Sequence, residues 1–284
     1  MKSVRAAFQL SSLLAAFTVG SASAHDRTEP LALALGDSVV FGYITQAGHQ
    51  YVDASNFIGS PEYLAHLLQA DMVNASCPGE TSASLVSSSG PDNGCREFRS
   101  RFPLHVAYDS TQLAFATRFL TEHRGVRLVT IGVGANDVLM LQTGCASEPN
   151  PAQCIQAGLP SVLTTVGSNM ALILASLRAT GFGGTIVIVN YYSPDYTDAL
   201  DTGVTALLNQ ALAAPARAYG AVVADVFGSF QRAVANPLVG GKTCNAGLLN
   251  VDPQDQSLCD VHPSQSGQRL IARTVAGAIH GAIW

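Results

Sequence analysis

The chain has 284 residues, 48% of them hydrophobic and 12% charged, with a formal net charge of −5. That length suits one large domain, and a charged share about half the usual ~25% leaves Ser, Thr, Asn, Gln and Gly to wet the surface. An acidic balance without basic runs argues against nucleic acid or another polyanion as a partner.

Residues 1–24 read as a signal peptide. Lys2 and Arg5 make a basic start, "AAFQLSSLLAAFTV" is an apolar stretch shorter than the ~20 residues of a spanning helix, and "SASA" ends in a small-residue cleavage pattern. Cleavage after Ala24 is expected, giving a secreted or periplasmic protein with no stable membrane span and a single domain over residues 25–284. His25 would then be amino-terminal, where its amine and ring nitrogen can chelate copper, but nothing else in the sequence calls for copper.

Five apolar, largely β-branched segments follow as predicted strands: residues 31–35, 71–74, 127–133, 185–190 and 221–226. Between them, helical spacing covers residues 61–69, 112–123, 161–179 and 202–219. A last helix is predicted over 264–283, following Pro263 with Ser264 placed to cap it. Strands alternating with helices imply right-handed crossovers, and hence a three-layer α/β/α sandwich around a five-stranded parallel sheet. Residues 84–110, 140–159 and 236–262 are expected to be long ordered loops, each containing or flanking cysteines.

All six cysteines lie beyond the leader, and an even count in an exported chain reads as disulfides. Proximity along the chain suggests Cys77 with Cys95, Cys145 with Cys154, and Cys244 with Cys259. A zinc site is disfavoured because no C-x-x-C spacing occurs.

The first strand stops at Gly36-Asp37-Ser38, a sharp turn at the carboxyl edge where parallel α/β sheets bind ligands. Three further short patterns sit at comparable places: "VNASCPGETSAS" with Gly79, "IGVGANDVL" with Asn136, and "CDVHPSQSG" with His262. A serine hydroxyl needs a neighbouring base to become a nucleophile, and histidine suits neutral pH. The oxyanion formed on an attacked carbonyl needs preorganised donors, which a glycine-turn N–H and an asparagine amide can supply.

Taken in order, Ser38, Gly79, Asn136 and His262, with their "GDS", "N-x-x-x-x-G-x-T" and "G-x-N-D" surroundings, resemble the SGNH hydrolases, or GDSL esterase and lipase family. The resemblance runs from Leu31 to the carboxyl terminus and implies a flavodoxin-like SGNH hydrolase fold for the domain. It implies Ser38 as nucleophile, His262 as general base, and an oxyanion hole made by the Ser38 N–H, the Gly79 N–H and the Asn136 amide. The departure lies beside the histidine. The family places its aspartate three positions earlier, where this chain has Cys259; Asp260 is two before. Either Asp260 still reaches the imidazole, completing a triad, or a backbone carbonyl orients the ring in a Ser-His dyad. Two of the expected disulfides flank this machinery, since Cys77 precedes Gly79 by two residues and Cys259 precedes His262 by three, and they are expected to rigidify it.

Other residues have simpler readings. Asp37 and Asp137 follow glycine-rich turns and are expected to bond local backbone. His49, His66, His105, His123 and His280 have no metal-ligand spacing to a carboxylate or cysteine. Tyr191 and Tyr192 either line an acyl pocket or fill the sheet edge. Arg96, Arg99 and Arg101 read as a solvated loop face. The resulting expectation is a monomeric serine esterase that needs no metal or cofactor and hydrolyses lipid or short-chain acyl esters, with an acylated polysaccharide as the alternative substrate. A non-catalytic carbohydrate- or lipid-binding protein on the same scaffold is the rival from another class.

Overall fold

The computed structural model describes residues 30–280 apart from 253, 256 and 257, so the expected leader and His25 lie outside the described residues. Strands β1 (Leu31–Gly36), β2 (Asp71–Asn74), β3 (Val126–Gly132), β4 (Thr185–Val189) and β5 (Ala221–Ala224) form one parallel sheet in the order β2-β1-β3-β4-β5. Each lies within a residue or two of its predicted position.

The apolar runs are continuous because both faces are covered, as all-parallel sheets require. Leu33, Leu35, Val129, Ile131, Ile186 and Ile188 enter one core with the buried sides of α5 (Gln112–Glu122), α7 (Pro151–Ala179) and α8 (Ala199–Ala213). Their neighbours Ala32, Leu128, Val187 and Val189 enter the other, against α2 (Ser60–Leu68), α9 (Val226–Val234) and α10 (Gln265–His280). Burying each such Leu, Ile or Val is worth about 1.5–3 kcal/mol, so both layers hold the sheet.

Three predicted loops carry regular structure. The segment 84–110 includes most of α3 (Ser82–Val86) and all of α4 (Cys95–Arg101). The segment 140–159 is not a loop. It holds the end of α6 (Ala135–Cys145) and the start of α7, whose first turn has Pro151 and a cap from Asn150 Oδ1 to the Gln153 N–H at 3.2 Å. Pro160 lies inside that helix and does not end it. The segment 236–262 contains a two-stranded antiparallel hairpin of β6 (Leu249–Val251) and β7 (Cys259–Pro263). Helix α9, which the sequence reading left unassigned, starts where the last predicted strand was expected to end, with Asp225 accepting from the Gly228 N–H. Disulfides join Cys77 to Cys95, Cys145 to Cys154 and Cys244 to Cys259.

The chain leaves β1 for the edge strand β2 and returns to the other side of β1 with β3. Such a reversal opens a crevice beyond the carboxyl ends of the strands. The turns after β1, β2 and β3 carry Ser38, Gly79 and Asn136 respectively.

Candidate active site

Ser38 opens the short helix α1 (Ser38–Phe41), capped by Asp37, whose carboxylate accepts from the Val39 N–H at 2.9 Å. Gly36 is required just before it, because a Cβ there would meet the Gly132 carbonyl oxygen at 2.3 Å. The Gln112 amide closes both polar groups of Gly36, accepting from its N–H at 2.9 Å and donating to its carbonyl at 2.8 Å. The sharp exit from β1 is therefore braced by a side chain 76 residues away.

His262 comes from β7. Its Nε2 lies 2.9 Å from Ser38 Oγ, and its Nδ1 lies 2.9 and 2.8 Å from the two oxygens of Asp260. A carboxylate only accepts, so the ring proton sits on Nδ1 and leaves Nε2 to accept from the serine hydroxyl. Of the two groups expected to orient the ring, the Asp260 carboxylate is the one at Nδ1. Burial pushes that carboxyl upward, but the hydrogen bond and charge of His262 and the hydroxyl of Thr45 outweigh it and hold it at about 2.

Gly79 sits at φ +84°, where a side chain would be strained, and a Cβ would meet the Asn93 carbonyl oxygen at 2.4 Å. Asn136 is buried at the start of α6. Its Nδ2 donates to the Glu80 carbonyl at 2.9 Å and its Oδ1 accepts from Asn93 Nδ2 at 2.8 Å, which leaves the second amide hydrogen free of either partner. The Ser38 N–H is the first of a helix and has no intrahelical acceptor, and among the described residues neither it nor the Gly79 N–H donates to a protein group. Ser38, Gly79, Asn136 and His262 line one cleft of about 650 Å3, whose far wall is Tyr43, Tyr51, Phe98 and Phe102. Such a cleft can hold a carbonyl group against a hydroxyl, a base and several N–H donors at once.

Residues that sequence reasoning missed complete the arrangement. Asn93 holds both donor loops, its side chain on Asn136 and its backbone N–H on the Gly79 carbonyl at 2.8 Å. One signal was available: Asn93 lies two residues before Cys95 and Gly79 two after Cys77, so pairing those cysteines brings the two together. Thr45 donates to Asp260 Oδ2 at 2.6 Å and carried no signal at all. Glu80, the residue after Gly79, is buried with Ser84 and Gln112 as partners, and burial raises its carboxyl to about 7.

The remaining expectations sort plainly. Asp37 bonds local backbone, yet also accepts from the buried Tyr191 hydroxyl at 2.5 Å, and burial lifts its carboxyl to about 6. Asp137 bonds its own backbone N–H and also accepts from the N–H and hydroxyl of Ser82, 55 residues away, at 2.8 and 2.6 Å. Tyr191 and Tyr192 are both buried and fill the sheet edge, Tyr192 donating to the Val261 carbonyl. Arg96 pairs with Asp92 at 2.6 Å and Arg99 donates to the Ser110 carbonyl at 3.0 Å, whereas Arg101 pairs with Glu97 at the cleft. His105 is bound to the Phe41 carbonyl at 3.1 Å. Cys77, Glu80 and Cys95 bring ligand-type atoms within 4.8 Å of one another, but both sulfurs are spent in a disulfide and supply no thiolate.

Fold and site together define a hydrolase of the three-layer α/β/α class. The sequence matches the GDSL-like Lipase/Acylhydrolase family over residues 34–270, and the chain belongs to that family. It is accordingly an ester-cleaving hydrolase. Among solved structures, a phospholipase A1 from Streptomyces albidoflavus is similar at a TM-score of 0.57 and 17% identity, covering 88% of this chain and 99% of that one. A lipase from a goat rumen metagenome aligns at 0.54 and 16%, over 87% and 96% of the two chains. An acetylxylan esterase from Geobacillus stearothermophilus aligns at 0.53 and 17%, over 88% and 94%. These similarities extend to the fold. No curated protein sequence matches significantly.

Proposed function

We propose that the protein is an exported serine esterase acting on lipid or short-chain acyl esters, with Ser38, His262 and Asp260 as its triad. The observation that carries this reading is the unbroken chain from Ser38 Oγ through both imidazole nitrogens to the Asp260 carboxylate. Ser38 Oγ attacks the ester carbonyl carbon while His262 Nε2 takes its proton, and the carbonyl electrons move onto oxygen. That oxyanion is met by the Ser38 and Gly79 N–H groups and the free Asn136 amide hydrogen. The intermediate collapses by breaking the bond to the alcohol, which leaves with the proton from Nε2. Water then repeats the sequence on the acyl-enzyme and releases the acid.

Support for an acyl chain over an acetylated polysaccharide comes from the aromatic wall, where Tyr43 stacks on Tyr51 at 5.5 Å and Phe98 and Phe102 meet at 5.3 Å. Export is supported by the three disulfides, which persist in oxidising compartments. The test is hydrolysis of p-nitrophenyl esters from acetate to palmitate by the oxidised protein and by Ser38→Ala. Turnover should vanish in the variant and peak in the wild type at a chain longer than acetate. An active Ser38→Ala overturns the mechanism, and a preference for acetyl groups on a polysaccharide overturns the substrate.

A further inference from the structure

Family spacing would leave one more residue between aspartate and histidine than this chain has. Asp260 and His262 lie on β7, and residues two apart on a strand share a face with their Cα atoms roughly 6–7 Å apart. Side chains on a strand stand nearly perpendicular to it. Left alone, the two would stand side by side, so the carboxylate has to be held leaning toward Nδ1.

One side chain from outside the hairpin does this. Thr45 Oγ1 donates to Asp260 Oδ2 at 2.6 Å, and that same oxygen lies 2.8 Å from His262 Nδ1. Thr45 is itself fixed. Its loop begins with the Tyr43 N–H on the Ser38 carbonyl at 3.0 Å, and is stapled by the Tyr51 hydroxyl, which donates to the Ile44 carbonyl at 2.7 Å and accepts from the Ala47 N–H at 3.2 Å. Gln254 Nε2 adds a second tie from the hairpin to Gln46 Oε1 at 3.0 Å. The bonds close a circuit from Ser38 through the loop to Thr45, Asp260, His262 and back to Ser38.

Resting on the triad reading above, we infer that Thr45 is a positioning residue that makes the shortened Asp-x-His spacing competent, by holding the Asp260 carboxylate on His262. The need is for a hydroxyl, since Asp260 is an acceptor and a methyl of equal size offers it nothing.

The experiment compares Thr45→Val, Thr45→Ser and Ser38→Ala in steady-state hydrolysis of p-nitrophenyl butyrate, with thermal melting of each. Thr45→Val should lower kcat about 10- to 100-fold, the range for losing a hydrogen bond to a charged group, and leave KM within about twofold. Thr45→Ser should recover most of that loss. In an Asp260→Ala background Thr45→Val should change nothing further, because the acceptor it holds is gone. Wild-type turnover by Thr45→Val beside an inactive Ser38→Ala overturns the role of Thr45 alone. A serine variant as slow as the valine variant at equal melting temperature overturns it too. Full turnover by Ser38→Ala removes the triad reading and this inference with it.

Discussion

Replacing Asn93 with alanine isolates one contact beside the proposed oxyanion hole. The variant deletes the 2.8 Å bond from Asn93 Nδ2 to Asn136 Oδ1 and keeps the backbone N–H that holds the Gly79 carbonyl. Asn136 then has one anchor left, its bond to the Glu80 carbonyl at 2.9 Å, and its amide is free to turn. A single internal hydrogen bond is worth about 0.5–1.5 kcal/mol, or roughly 2- to 13-fold in rate. Loss of a whole oxyanion donor, ~10² to 10³, sets the ceiling. A fall in kcat of about fivefold to tenfold is therefore expected, with KM unchanged, because the oxyanion forms only on the way through the transition state. Steady-state kinetics on Asn93→Ala, Asn136→Ala and the double variant measure it. If Asn93 acts through Asn136, the double variant is no slower than Asn136→Ala; two losses that multiply would refute the reasoning.

Removing the 15-residue Cys244–Cys259 link with paired serines should cost about 3 kcal/mol by loop entropy, and lower the melting temperature by roughly 6–12 °C. If that bridge also steadies the base, kcat at 25 °C falls while the variant is still fully folded by circular dichroism; unchanged kcat would confine it to stability. Stability should also fall as pH rises from about 5 to 8. Burial lifts Glu80 to about 7, so the folded chain holds a proton there that the unfolded chain, near the ordinary 4.5, releases. That stabilisation is complete below about 4.5, is lost as pH passes 7, and amounts to on the order of 3 kcal/mol. Glu80→Gln should make the melting profile shallower, Asp37 at about 6 keeping part of the slope, and a wild-type profile that rises from pH 5 to 8 would contradict it.

The sheet was legible because its information is local: a strand buried on both faces must be an apolar run, as at residues 127–133, and a Gly-Asp-Ser stop is a turn whatever surrounds it. Chain order then carried Ser38, Gly79, Asn136 and His262 to one edge. What stayed hidden depends on contacts distant in sequence or on misleading punctuation. Gly144, Pro151 and Pro160 look like a loop, although Pro151 opens α7 and Pro160 is accommodated within it. Strands of three and five residues in the β6–β7 hairpin are too short to show alternation. Thr45 reaches Asp260 across 215 residues, a relation no window of sequence contains.

The proposed general base and nucleophile stand on different pieces of secondary structure. Ser38 follows a central strand of the five-stranded sheet, while His262 rides on a two-stranded ribbon fastened by one disulfide, the Thr45 and Gln254 side chains and the Tyr192 hydroxyl. Two short strands carry little stability of their own, and proteins open locally at free energies well below that of global unfolding. Opening of the ribbon would draw Leu249 out of the apolar layer it shares with α10 and part His262 from Ser38 while the five-stranded sheet stays paired. On heating, ester hydrolysis should fail before the helical circular-dichroism signal does, and coincident curves would show that ribbon and sheet melt as one unit.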